Sequence, residues 1–167
     1  NQSPESLLKA TREHLSTHLQ GTDAFHFFYG VMNRRHLKLD YVNIGNVAAM
    51  HYNTDSQKLT RLQFDVPAID VDHECPTVET QSIDFEPKDK LILCSPGIFK
   101  VAAPSGELFG EERLYSIMKK SAGSDVHHLR NEIFFQAQQF AESKSLPNDL
   151  TVIVLEVKER VLKLAST

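Results

Sequence analysis

The side chains that could do chemistry in this chain gather in a few short stretches. The most informative is Asp84–Lys100, DFEPKDKLILCSPGIFK. It reads as a strand over Lys90–Cys94 that leaves a charged turn and stops at Ser95-Pro96-Gly97. Leu91, Ile92 and Leu93 form a continuous apolar run, the pattern of a strand buried on both faces. Side chains at the end of such a strand are held rigidly, which is where sites are well placed. Ser95 invites a nucleophile reading, but no Gly-x-Ser-x-Gly surrounds it and no base is assigned, so its expected task is the turn before Pro96. Cys94 is expected to be an inert core thiol, because nothing cationic beside it in sequence would favour the thiolate.

Two other clusters have simpler readings. Asp70-Val71-Asp72-His73-Glu74-Cys75 collects metal-ligating side chains within six residues. A zinc site would need ligands from a second segment as well, so a solvated acidic loop is the expectation. His127-His128 falls in the first turn of a helix. Neighbours on a helix point about 100° apart, so the pair cannot face one ion and reads as two surface histidines.

Composition narrows the classes. Hydrophobic residues are 41% and charged residues 24%, ordinary for a globular domain with its own core at 167 residues. A net charge of −4 argues against a general nucleic-acid binder. No apolar run approaches the roughly 20 residues needed to span a bilayer, so no direct membrane contact is expected of this segment. Two cysteines make no disulfide framework, which fits a cytoplasmic domain.

These residues must be positioned by a recognisable series of elements. Residues 3–20 read as a helix, with Ser3 as cap, Pro4 in the first turn and Leu7, Leu8, Leu15 and Leu19 largely on one face. Ala24–Val31 and Leu37–Asn43 read as a hairpin around Asn33-Arg34-Arg35-His36. The aromatic set Phe25, Phe27, Phe28 and Tyr29 in its first strand is expected to be sheet core. Strands follow at Val47–Tyr52, Leu59–Phe64, Val78–Phe85 and the central Lys90–Cys94, with an acidic loop over residues 65–76. Residues 98–108 read as a connecting loop, Glu111–Ser121 as a helix, and Asp125 as the cap of a longer helix to about Ser143. Leu150–Val157 is the last strand, and residues 158–167 a tail that frays or forms a short helix. The order predicts an α+β fold with helices on a mostly antiparallel sheet, in one domain over residues 1–157.

Several of these stretches, in order and in register, resemble the SpoIIE/RsbU branch of the metal-dependent type-2C serine/threonine phosphatases. The hairpin FHFFYGVMNRRHLKLDYVNIGN is similar to that family's strand pair ending in Asn-Ala-Gly-His. FEPKDKLILCSPGIFK resembles its strand running into Thr-Asp-Gly-Val, GELFGEERLYSIM its Phe-Gly-Glu-Glu-Arg-Leu helix entry, and NDLTVIVLEV its closing Asp-Asp-x-Thr strand. The resemblance implies an antiparallel β-sandwich flanked by helices, the type-2C phosphatase-like αββα arrangement. It also implies hydrolysis of phosphoserine or phosphothreonine on an anti-anti-sigma-type protein, with two Mn²⁺ or Mg²⁺ ions activating a water.

The same stretches also depart from the family's pattern. The family's first metal carboxylate lies in an Asp-x-x-Gly-His-Gly segment that is absent here, so the fold is expected to be N-terminally incomplete. The Thr-Asp-Gly carboxylate is replaced by Ser95-Pro96-Gly97, with proline at the ligand position. The first aspartate of the closing motif is Asn148, Asp149 is kept, and Asn46 stands for the motif histidine. Asn148 and Asp149 are the remaining metal-ligand candidates, weak ones, and no catalytic residue is assigned. The resemblance then implies a degenerate phosphatase domain that binds an anti-anti-sigma or anti-sigma partner in a bacterial signalling pathway, with no cofactor of its own. An active Mn- or Mg-dependent phosphatase completed by upstream sequence is the alternative. A homodimer is a further expectation, as cover for exposed edges.

Overall fold

The computed structural model describes residues 4–15, 24–62, 66–70, 78–143, 146, 149–158 and 161–165. The chain divides into two compact units, Asn1–Val47 with Gln63–Asp84, and Ala48–Leu62 with Phe85–Thr167.

The first unit holds α1 (Pro4–Leu15), β1 (Ala24–Phe25), β2 (Phe27–Asn33), β3 (Lys38–Ile44), β6 (Ile69–Asp70) and β7 (Gln81–Asp84). Pro4 opens α1, where its missing N–H costs nothing. The predicted cap Ser3, the later part of the predicted helix and Gly21 lie outside the described residues. β2, β3 and β7 form an antiparallel sheet in that order, and β1 pairs with β6. Leu8, Val42, Ile44, Ile69 and Val78 make the unit's core, with Phe25, Phe27 and Tyr29 half-buried against it. Phe28 lies on the other face of β2 and stacks on Tyr41 at 5.8 Å. The aromatic set is therefore split between two faces of the sheet.

The second unit holds β4 (Ala48–Asn53), β5 (Lys58–Arg61), β8 (Lys90–Cys94), α2 (Gly110–Ser121), α3 (Val126–Ala141), β9 (Val152–Lys158) and β10 (Val161–Ala165). Its sheet runs β10-β9-β8-β4-β5, all antiparallel, so β8 is central as its apolar run predicts. Alternate residues Ile92 and Cys94, with Met50, Val152 and Val154, are buried with Leu114 and Met118 of α2 and Leu129, Ile133 and Ala137 of α3. Their i, i+4 spacing gives each helix the apolar stripe that this packing requires.

The structure revises three expectations. The strand predicted over Ala24–Val31 breaks at His26, which leaves the ladder to accept a hydrogen bond from Asn46. The tail contains a strand: β10 pairs with β9 from Val161↔Lys158 to Ala165↔Val154. The alternation in VLKLA suits either a strand or a short helix in isolation, and the unsatisfied edge of β9 decides between them. The connecting loop after Gly97 is structured, with a 3-10 helix over Pro96–Lys100 and a bridge between Ala102 and Leu108.

Candidate functional site

The end of β8 carries three of the altered motif positions, Ser95, Pro96 and Gly97. Cys94 pairs with Ala48 on one side and Val152 on the other, so the residues that follow emerge between two strands. The Ser95 N–H donates to the Thr151 carbonyl at 3.0 Å. The Ser95 hydroxyl accepts from the Thr151 N–H at 3.0 Å and donates to the Asp149 carbonyl at 3.4 Å. Ser95 is extended (φ −66°, ψ 155°), as a residue before proline tends to be. Pro96 then starts the 3-10 helix, whose Ile98 is fully buried.

Three consequences follow for the chemistry. Ser95 stands at the head of the 3-10 turn, its carbonyl accepting from the Ile98 N–H at 3.3 Å, while its side chain makes no capping bond and instead ties the start of β9 to the end of β8. Cys94 is buried, and burial pushes its thiol up to about 12, so it stays protonated at neutral pH. Asp149 is exposed beside this junction rather than turned inward, and Asn148 lies outside the described residues.

Asn46 belongs to the first unit. Gly45 adopts φ +73°, and a Cβ there would stand 2.3 Å from His26 Nδ1. The Gly45 N–H donates to the Val66 carbonyl and the Asn46 N–H to His26 Nδ1, each at 2.9 Å. An Nδ1 that accepts leaves the neutral ring's proton on Nε2. The loop thus keeps its glycine geometry while Asn46 itself is exposed.

The remaining candidates are not assembled into a site. His127 and His128 are exposed, and their backbone N–H groups donate to the Asp125 carboxylate at 2.9 and 3.2 Å. Of Asp70–Cys75 only the backbone of Asp70, in β6, falls within the described residues.

A further polar centre, not singled out from sequence, lies at the other end of β8. Asp89 is 1% exposed. Its carboxylate receives His51 Nε2 at 2.9 Å, Asn53 Nδ2 at 3.1 Å, and the N–H groups of Thr54 at 2.9 Å and Glu86 at 3.0 Å. The His51 ring lies 4.3 Å from Phe85. An aspartate directly before an apolar strand and three residues after the start of a Glu-Pro-Lys turn was the available signal.

Two divalent cations bring a charge of +4 and call for several carboxylate oxygens. Around the end of β8 the described residues offer Asp149 as the carboxylate, a proline, a hydroxyl already engaged, and a protonated thiol. Among the described residues no three of His, Cys, Asp and Glu gather as a ligand set. This donor set does not fit a pair of hard divalent ions.

The profile of the Stage II sporulation protein E (SpoIIE) family matches residues 1–158. The chain belongs to the SpoIIE family. Solved structures agree on its fold. The SiaA-PP2C domain of Pseudomonas aeruginosa is similar over 92% of this chain and 60% of its own, at 14% identity and TM-score 0.76. The phosphatase domain of SpoIIE from Bacillus subtilis is similar over 93% of this chain and 67% of its own, at 17% identity and TM-score 0.59. The catalytic domain of the serine/threonine protein phosphatase PstP, solved with two manganese ions, is similar over 93% of this chain and 68% of its own, at 13% identity and TM-score 0.63. The SpoIIE-family chain described here therefore has the type-2C phosphatase fold and spans about two thirds or less of the length of these relatives. No curated protein matches it. No helix among its described residues is long and apolar enough to cross a membrane.

Proposed function

We propose that this chain is a SpoIIE-type phosphatase domain that works by holding a protein partner rather than by dephosphorylating it. The observation that carries the reading is the end of β8. There a proline stands at the position where the family resemblance calls for a ligand aspartate, and the neighbouring hydroxyl is committed to Thr151 and Asp149. A proline offers no side-chain donor, and Asp149 by itself leaves most of the charge of two cations unbalanced. The partner class this reading favours is an anti-anti-sigma or anti-sigma type protein in a cytoplasmic partner-switching pathway.

A second reading, a working Mn- or Mg-dependent phosphatase completed by sequence outside this chain, has one feature in its favour. Asp149 is exposed, next to the end of β8, and carries a carboxylate. Its neighbour Asn148 supplies at most a neutral oxygen.

One experiment separates them. A phosphorylated anti-anti-sigma-type protein is incubated with the chain in Mn²⁺, and binding and phosphate release are followed together. The binding reading expects a complex with no release above the metal-only control. Catalytic release of phosphate contradicts it.

A further inference from the structure

The segment between the 3-10 helix and α2 is built as a rigid hairpin. Ala102 bridges to Leu108, the Ala103 N–H donates to the Glu107 carbonyl at 2.9 Å, and the Phe109 N–H donates to the Val101 carbonyl at 2.7 Å. Gly106 closes the tip at φ +85°, its N–H donating to Ala103 at 2.8 Å. Arg113 then ties the hairpin down. Its guanidinium donates to the carbonyls of Leu108 at 3.1 Å and Phe109 at 3.0 Å, pairs with Glu107 at 2.8 Å, and lies 4.3 Å over the Phe140 ring of α3.

This scaffold fixes two apolar neighbours in opposite senses. Phe109 is 2% exposed and meets Phe140 edge-on at 5.4 Å. Phe109, at φ −56° and ψ −49°, opens the first turn of α2 with its ring seated inward, while its neighbour Leu108 is left on the surface. Leu108 is 58% exposed. A lone exposed leucine on a loose loop needs no explanation. Here the loop is ordered by backbone bonds and a planar, multiply bonded arginine, so a partner that buries Leu108 gains its apolar area without having to order the loop.

The rim sets the kind of partner. Residues 107–113, ELFGEER, carry three glutamates and one arginine. Arg113 pairs with Glu107, and Arg61 pairs with Glu111 at 2.9 Å, while Glu112 is exposed. The net charge around Leu108 is negative, as is that of the whole chain at −4. Like charge disfavours a second copy or an anionic lipid surface there, and favours basic groups.

We propose that the Ala102–Leu108 hairpin is a docking element, with Leu108 as its anchor, for a folded protein partner that presents an apolar socket rimmed by lysine or arginine. The proposal rests on the partner-binding reading above and deepens it: the hairpin follows directly from the Ser95-Pro96-Gly97 junction through the 3-10 helix.

The test is calorimetric titration of the chain with an anti-anti-sigma-type protein, phosphorylated and unphosphorylated, comparing the unaltered chain with Leu108→Ala and Glu112→Lys. Both positions are exposed, and thermal unfolding checks that the variants fold alike. Leu108→Ala is expected to weaken binding by about tenfold, the range of an anchor residue. Glu112→Lys is expected to weaken it and flatten its salt dependence. Binding by the unaltered chain that Leu108→Ala leaves within about twofold overturns the docking proposal and spares the partner reading. No binding by the unaltered chain to either form overturns the partner reading, and the docking proposal with it.

Discussion

The two ends of β8 do opposite things with the same strand. At its start, Asp89 is a buried carboxylate with four donors aimed at it: a histidine, an amide side chain and two backbone N–H groups. At its finish, the Ser95 hydroxyl bonds to the residues leading into β9, and Pro96 opens a 3-10 helix. A buried charge persists only where donors compensate it. Asp89 meets that condition through His51, Asn53 and the backbone N–H groups of Thr54 and Glu86. A metal centre would need anionic groups at the other end, where Asp149 is the carboxylate among the described residues. The carboxylate at the start of β8 is buried and hydrogen-bonded, while Ser95 and Pro96 at its finish carry no charge.

That contrast can be broken most forcefully at Asp89. Asp89→Ala strands four donors in the interior and is expected to cost about 3–5 kcal/mol, read from denaturant midpoints. Asp89→Asn, which keeps one acceptor oxygen, should cost less. Loss of under about 1 kcal/mol in the alanine variant would place the network outside the stability of the fold.

The opposite manoeuvre adds a carboxylate where one is lacking. Pro96→Asp sets a second carboxylate near Asp149 and is expected to raise Mn²⁺ affinity by about tenfold, or ~1.4 kcal/mol. Free Mn²⁺ counted by electron paramagnetic resonance reads the change. Ser95→Ala is a smaller intervention. It removes the acceptor of the Thr151 N–H and is expected to cost about 1 kcal/mol by thermal unfolding, with ion binding unchanged.

A third carboxylate sharpens the comparison because it does the Asp89 job in water. Asp125 caps α3, and its pKa is held below the usual value, chiefly by the His128 N–H, then by the His127 N–H and the nearby imidazoles. Its folded pKa is depressed, so its stabilisation is present above the unfolded aspartate value and is lost as pH falls through the lower folded one. Asp125→Asn should flatten the acid limb of stability below about pH 4 and change little at neutral pH. Unfolding midpoints measured between those conditions check it.

Much of the second unit was legible in the sequence because its signals are local. The run Leu91–Leu93 marked β8 as central, and Asp125 with the i, i+4 apolar set marked α3. The motif order carried the family assignment, which the family match over residues 1–158 supports; that Ser95 contacts Asp149 and Thr151 is read from the fold. What escaped depends on partners far along the chain. Asp89 looks like a turn residue until His51 and Asn53, from β4, fold onto it. The break at His26 arises from Asn46, twenty residues later. β10 needs the edge of β9 before its alternation means strand. The outward Leu108 is unreadable without Phe109 and Arg113 holding the hairpin.

The β8 junction of this chain is proposed not to hold the family's pair of ions. The most direct test is a calorimetric titration of the 167-residue chain with Mn²⁺, repeated with Mg²⁺. The account predicts no binding at sub-millimolar ion concentration. Two ions taken up tightly by this chain would contradict it and return Asp149 and its neighbours to the role of metal ligands.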